Sequence, residues 1–385
     1  MRRSPLAAFA GIFVVTLLSL TAVGAVLPVI PRYVHGPLDS GNFAVGVAVG
    51  AFALTALASR PLAGHVADLH GRRPVVVVGA LLSAAAGVLY LVPAGLAGLI
   101  GSRLVLGAGE GMVFTAGATW VVDLAPPDRR GRVIGLYGLA VWSGLSLGPP
   151  IGDALLRASS YEAVWAFSAI CPFLGALVAL RIPDAHRPSS EPQKRPLLAL
   201  ESVGPGIAIS LASVGFAAMA SFIVLHLEAH GSGHGTVVFT AFAATVVLTR
   251  LVGGDLPDRI GPLRCAAGAA ALEALALALI ALAEGLPLAL AGAVGMGMAF
   301  ALLYPSLSLV AINSVSESRR GSALGTFTAF FDIGIGLGAV LTGLAAALGG
   351  YSAAFWLGSA CAAGTGFVVT RALGRARASP GVTAP

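Results

Sequence analysis

The sequence predicts an all-α membrane protein, with twelve transmembrane helices in two pseudo-symmetric six-helix bundles. Three observations carry this. Of 385 residues, 57% are hydrophobic and only 10% charged, against roughly 25% charged in an average soluble domain. Apolar runs of about 20 residues recur along nearly the whole chain, and at about 1.5 Å of rise per residue each can cross a hydrocarbon core about 30 Å thick. Polar landmarks then recur 190 residues apart: Arg60 with Arg250, Gly64 with Gly254, Asp68 with Asp258, Gly71 with Gly261, Gly107 with Gly297, and Arg130-Gly131 with Arg320-Gly321. A constant offset indicates parallel repeats related by an axis along the membrane normal, with a ligand site expected between the halves near the midplane. The alternating segments of roughly ten residues that build a membrane barrel are absent.

The first span, about 7–31, follows Met1-Arg2-Arg3 but is too long for the apolar core of a cleavable signal, and it leads directly into further spans. The second, about 43–63, stops at a polar and basic interruption, Gly64 to Pro74. Four more follow at about 75–93, 97–122, 133–155 and 162–181. Pro183 to Pro196 is the one clearly hydrophilic linker and holds the single lysine, Lys194. It divides the chain into an N-terminal bundle (1–182), a linker (183–202) and a C-terminal bundle (203–385). The second set of spans reads as about 203–227, 236–255, 265–284, 287–312, 321–347 and 352–372.

The net charge of +6 comes from basic clusters at the ends of apolar runs, which is a signature of topology rather than of nucleic-acid binding. With a cytoplasmic N-terminus, that face receives twenty of the twenty-three Lys and Arg residues, Arg60 and Arg250 among them. The outer face receives Arg32 and Arg157, and Arg103 stays within a span. Under the positive-inside rule both termini are expected in the cytoplasm of a multi-pass protein of the bacterial cytoplasmic membrane. Cys171, Cys265 and Cys361 lie far apart without metal-ligand spacing, so reduced, buried thiols are expected. His226, His230 and His234 recur at spacings of four around one outer loop, but no carboxylate set accompanies them and no metal is expected. No Gly-Lys-Ser/Thr phosphate loop is present. An enzyme, a nucleotide energy source and any cofactor are therefore not expected.

The interruption Gly64-x3-Asp68-x2-Gly71-Arg72-Arg73 resembles the signature loop of the major facilitator superfamily, and the likeness covers nearly the whole chain. Glycines allow a tight turn and close helix approach, and Asp68 with the arginines can form a charge cluster at a helix end. The resemblance implies a conformational latch, completed by an acid at the end of span four, here Asp123; Asp258 marks the second copy. In the fifth span, Gly135, Gly144, Gly148, Pro149 and Gly152 resemble the family's antiporter motif, with Asp153 standing where the family carries a last glycine. Small residues let helices approach closely, and the Gly-Pro pair favours a bend.

Arg103-x3-Gly107-x-Gly109 in the fourth span resembles the family motif whose buried arginine is tied to proton coupling. An arginine in hydrocarbon costs about 2.5–3.5 kcal/mol on insertion scales unless it finds a cavity or partner. Glu110 follows two turns along the same face, so the two are expected to share one cavity, where the carboxyl could take up and release a proton. Asp332, about eleven residues into its span and beside Phe331, is a second candidate for proton or cation contact. Glu273 is also mid-span, but is read as a protonated or interhelix-bonded packing acid. Phe114, Tyr137, Trp142 and Tyr304 lie on helices that line the family's cavity and suit an amphipathic ligand.

The resemblance thus implies a monomeric secondary transporter whose partners are a small-molecule substrate, protons and the lipid bilayer. Proton-coupled efflux of an amphipathic drug or metabolite is the leading expectation, by rocking of the two halves. Proton-coupled uptake of a sugar or organic acid is one alternative, and a transport-inactive ligand sensor on the same fold is another. The second latch has Pro262-Leu263-Arg264 where the first has Arg72-Arg73-Pro74. Asp68→Asn is therefore expected to slow flux into membrane vesicles more than Asp258→Asn at equal expression; equal effects would remove this asymmetry.

Overall fold

A computed structural model describes residues 5–125, 130–183, 199–316 and 319–378. Most of the linker, both chain ends and the basic residue Arg129 lie outside them. Thirteen α-helices are present among the described residues: α1 (Pro5–Val26), α2 (Val29–His35), α3 (Asn42–His70), α4 (Arg72–Tyr90), α5 (Gly95–Leu124), α6 (Arg130–Ala158), α7 (Tyr161–Leu180), α8 (Val203–Ala229), α9 (Gly235–Gly253), α10 (Leu256–Ile260), α11 (Pro262–Ala281), α12 (Leu286–Asn313) and α13 (Arg320–Ala378).

Helix breaks follow the local chemistry. Pro28 and Pro31 have no N–H to donate to the preceding turn, and the first crossing divides at Leu27 and Pro28 into α1 and α2. The 54-residue apolar segment within α13 would be about 80 Å long as one rod, far beyond one hydrocarbon crossing. It is interrupted at Gly349 and Gly350 (φ 76°), so it crosses twice. With the other ten apolar segments, twelve crossings result among the described residues.

The polar interruption is not the loop expected from the sequence. α3 runs straight through Gly64 to His70, and only Gly71 (φ 97°) makes the turn. Nothing in residues 64–70 removes a backbone donor, so the helix continues until a glycine offers the left-handed conformation. In the second copy α9 stops at Gly253. Pro257, which stands 190 residues after Ala67, lacks the N–H that an unbroken helix would give the Gly253 carbonyl. A five-residue α10 follows, up to Gly261 (φ 91°).

α1 to α7 form one bundle and α8 to α13 the other. The repeat is visible atom by atom. Gly107 on α5 lies against the Phe52 carbonyl and Thr55 hydroxyl of α3, and Gly297 on α12 lies against the Phe242 carbonyl and Thr245 of α9. Every one of those pairs differs by 190. The bundles meet chiefly through α3 against α13 and α6 against α9, with smaller contacts of α2 and α3 to α8.

The buried apolar side chains divide unevenly along the membrane normal. Toward the end distant from the chain termini, one core joins both bundles, running from Val49 and Trp142 to Phe242, Phe300 and Ala339. Toward the end bearing the termini it splits in two, one core around Ile12, Val113 and Trp120 and another around Ile209, Leu307 and Phe327. The bundles are thus sealed together at the far end and separate at the terminal end.

A side chain at Gly107 has no room to enter. Overpacking a well-packed core typically costs about 1–3 kcal/mol, so Gly107→Leu and Gly297→Leu are expected to lower the unfolding temperature of detergent-purified protein. Gly101→Ala, at a glycine with open space around it, should leave it unchanged.

Candidate functional site

The interface between the bundles is polar at its far end. Arg32 of α2 donates from Nη1 to Asp153 Oδ1 of α6 (2.6 Å) and from Nε to Glu228 Oε1 of α8 (2.7 Å). Arg157 donates to the second oxygen of Asp153 (2.7 Å) and to the Gly233 carbonyl (3.3 Å), and Thr236 of α9 donates to Asp153 (3.2 Å). Asp153 is therefore the hub of a network that ties the first bundle to the second. Below it the surfaces are small. Asn42 donates to the Ala346 carbonyl (3.0 Å), Gly46 meets the Ala339 carbonyl, and Gly50 faces that of Gly336.

Beneath this seam lies a charged and aromatic belt. Arg60 of α3 grips Asp332 of α13 with two bonds, Nε to Oδ2 (2.6 Å) and Nη2 to Oδ1 (3.0 Å), and its guanidinium lies over the Phe114 ring of α5 at 4.7 Å. Two parallel bonds to one carboxylate make the strongest common ion-pair geometry. Asp332 is only 4% exposed, so the pair spans the two bundles inside a low-dielectric interior. Tyr304 and Phe331 pack beside it, ring centroids 5.4 Å apart.

The repeat places a second arginine at the equivalent point. Arg250 of α9 lies over the Trp142 ring of α6 at 5.6 Å and against Gly138. Trp142 reaches from the first bundle into a cage of Phe216, Phe242 and Phe300 of the second, all edge-on at 5.3–6.2 Å. Such pairs contribute about 0.5–1.5 kcal/mol each beyond their burial. Arg60, Phe114, Trp142 and Asp332 all lie about 15–18 Å in from their helix tips at the terminal end, by rise per residue. Toward that end the buried core separates into two.

Placement of the other expected residues is mixed. Arg103 and Glu110 do not share a cavity. Arg103, 1% exposed, donates to the Ala48 (3.1 Å) and Val49 (3.2 Å) carbonyls of α3 and covers the Phe52 ring at 5.1 Å. Glu110 turns to α4, where the Ser83 hydroxyl lies 3.1 Å from Oε1, and Oε2 has no partner among the described residues. α5 is flanked by α3 on one side and α4 on the other, and each neighbour takes one side chain. Tyr137 belongs to the core of the first bundle and donates to the Phe114 carbonyl (3.2 Å). Phe114, Trp142, Tyr304 and Phe331 stand at the interface.

At the terminal end, Arg72 joins Asp68 (2.5 Å) and Asp123 (3.1 Å), within one bundle. Arg73 flanks this cluster in sequence. Asp258 forms no ion pair among the described residues, whereas its neighbour Arg259 pairs with Asp255. Gly144, Gly148 and Gly152 press on the α1 backbone at Leu17, Thr21 and Ala25, while Gly135 has open space around it and α6 continues through Pro149. Among the described residues no group of three His, Cys, Asp or Glu could hold a metal. His226 and His230 bond instead to the Ile280 and His226 carbonyls.

Arg60 and Arg250 were expected at the cytoplasmic surface and lie instead within the bundle interface. The sequence held a signal for this. Counted back from Gly71 along an unbroken α3, Arg60 falls nearly three turns inside, and the 190-residue offset carries Arg250 with it. The far-end network of Arg32, Asp153 and Glu228 had no such signal, because its members come from three separate helices.

The sequence matches the family model described as Major Facilitator Superfamily over residues 12–237 and 206–385. It is 31% identical to an uncharacterized MFS-type transporter of Salmonella typhimurium (strain LT2), over 90% of this chain and 91% of that protein. It is likewise 31% identical to one of Burkholderia pseudomallei (strain K96243), over 96% of this chain and 94% of that protein. Among solved structures it resembles a mutant of the nucleoside transporter NupG (TM-score 0.81, 14% identity, 94% of this chain and 99% of that one). It also resembles the human organic anion transporter MFSD10 (TM-score 0.74, 19% identity, 96% of this chain and 100% of that one).

Removing one partner of a buried ion pair costs about 3–5 kcal/mol because it strands the other. Arg60→Gln and Asp332→Asn are therefore each expected to lower the unfolding temperature, and the double variant by less than their sum. Strict additivity in that double-mutant cycle would show that the two side chains do not couple.

Proposed function

This chain belongs to the major facilitator superfamily, and from that premise we propose that it exports a small amphipathic organic molecule, a drug or metabolite, in exchange for protons. The observation that carries the proposal is the Arg60–Asp332 pair, a titratable carboxylate joined to the opposite bundle at the point where the common core divides. Rocking one bundle against the other must change that contact. Protonation of that acid and binding of substrate then act on one contact, which can link the two movements.

With the terminal end in the cytoplasm of a bacterial cell, as the basic residues favour, the described state is closed outside and parted inside. Asp332, bonded through both oxygens to Arg60, has the geometry of a carboxylate that has released its proton. Substrate entering between the cores meets Phe114, Trp142, Tyr304 and Phe331, which offer apolar rings beside charge. As the bundles rock, a proton from outside neutralises Asp332 and separates it from Arg60, and the rearrangement of the belt releases the substrate. Glu110 is a second candidate carrier, one helix away at Ser83. Arg103 serves as a clamp on α3 that sets the position of α5. The glycines of α6 against α1 give the close, smooth contact on which such rocking can occur. The protein is proposed to act as a monomer.

The test is accumulation of labelled amphipathic aromatic solutes in inverted membrane vesicles whose interior is made acidic. Vesicles containing the protein should accumulate substrate only while the gradient stands. Asp332→Asn should lower accumulation at least about tenfold, the equivalent of 1.4 kcal/mol, and Glu110→Gln should lower it less. Accumulation that ignores the gradient would overturn coupling, and accumulation only under the opposite gradient would indicate uptake instead.

A further inference from the structure

The two halves of the interface differ in one substitution that bears on the ligand. Positions 60, 114 and 332 hold Arg, Phe and Asp; their counterparts by the 190-residue offset are Arg250, Tyr304 and Trp142. In the first set the guanidinium is paired with Asp332. In the second a tryptophan occupies the position of the carboxylate, and the guanidinium faces its ring.

Arg250 forms no ion pair and no hydrogen bond with a side chain or carbonyl among the described residues, and its Nε is buried without a partner. An aromatic face attracts a cation but supplies no hydrogen-bond acceptor for the five N–H donors of guanidinium. The belt therefore carries two guanidiniums against one carboxylate, a surplus of one positive charge. Arg103 and Glu110 are not part of the belt: they turn to α3 and α4 within the first bundle. The surplus sits at the edge where the common core gives way to two, beside the apolar cage of Phe216, Phe242 and Phe300 around Trp142.

We propose that the ligand of this site is an organic anion, an apolar or aromatic body bearing one carboxylate or similar oxyanion, with its negative group on Arg250 and its body against Trp142 and the phenylalanines. The ligand completes in the second half the ion pair that Asp332 makes within the protein in the first. Arg250 is thus a specificity-determining residue, set by the Asp-to-Trp difference between the repeats. The inference rests on the proposed transport site but not on the direction or coupling of transport.

The test is calorimetric titration of the detergent-purified full chain with three probes sharing one ring system: a naphthoate, its uncharged carboxamide and the corresponding naphthylmethylammonium. The wild type should bind the naphthoate at least about tenfold more tightly than either other probe, a difference of 1.4 kcal/mol. Arg250→Gln should bring that ratio close to one. Trp142→Asp, which supplies an internal carboxylate at the equivalent of Asp332, should do the same by a different route, and Arg250→Lys should retain the preference in part. A wild type without anion preference, including one that binds no naphthoate at millimolar concentration, overturns the proposal, as does a ratio unmoved by Arg250→Gln and Trp142→Asp. Flux of the bound probe in proteoliposomes separates this from the functional reading. Naphthoate bound but not carried would overturn export and leave the anion site standing; the ammonium bound and carried would do the reverse.

Discussion

Arg60 and Asp332 join two bundles through a largely apolar interior, the carboxylate 5% and the arginine side chain 19% exposed. Hydrocarbon and packed apolar side chains leave a guanidinium and a carboxylate few alternatives to each other, since a charge stranded there costs several kcal/mol. Much of the surrounding architecture serves that contact. The small residues Gly46, Gly50 and Gly336 bring α3 and α13 close enough for the pair to form. Phe114 covers one face of the guanidinium. Arg103, pinned to the Ala48 and Val49 carbonyls, fixes α5 against α3 and so holds Phe114 in place.

Duplication built the scaffold twice but did not preserve its chemistry twice. The close contact of Gly107 on Phe52 returns as Gly297 on Phe242, because backbone approach depends only on the absence of a side chain. The polar groups have been reassigned. Glu110 reaches Ser83 in the first half; in the second, Phe300 stands at the position of that glutamate and Glu273 at that of the serine. Glu273 is fully buried with no partner for either oxygen among the described residues, which suits a neutral acid held in packing. One half thus keeps its acid near the interface and the other has moved it to the periphery. The same drift separates Asp332 from Trp142 and gives the site its uneven charge.

Spans and repeat were legible in the sequence because they rest on properties that one residue carries by itself: apolarity over about 20 residues, and glycine where a side chain cannot fit. The crossings fall within a few residues of expectation for that reason. The polar interruption misled because charge is a weak helix breaker. Asp68 lies on a helix that nothing stops before Gly71, and Arg72 opens the next one, whereas one proline, Pro257, breaks the second copy. Partnerships were the least legible. Seven residues along one helix put Arg103 and Glu110 on one face, but which neighbouring helix each side chain meets depends on how three helices pack. Arg60 was hidden by the same limit, because its partner lies 272 residues away.

The far-end network and the central pair would make different demands on the cycle proposed above. Opening the far end requires Arg32 and Arg157 to release Asp153, Glu228 and Gly233, groups at the edge of water that can be hydrated as they part. Arg157 and Glu228 stand partly in water, but Arg32 and Asp153 are only 14–15% exposed, so the network holds this end more firmly than fully exposed pairs, at about 0–1 kcal/mol each, would. The Arg60–Asp332 pair has no such replacement while the belt stays dry. If the bundles part there without a change of charge, two uncompensated ions remain in an apolar interior; if a proton arrives first, only one does, and it lies over an aromatic ring. On that proposal the energetic control of the cycle falls on the buried pair in the belt. The ends of the protein need only be weak enough to follow it.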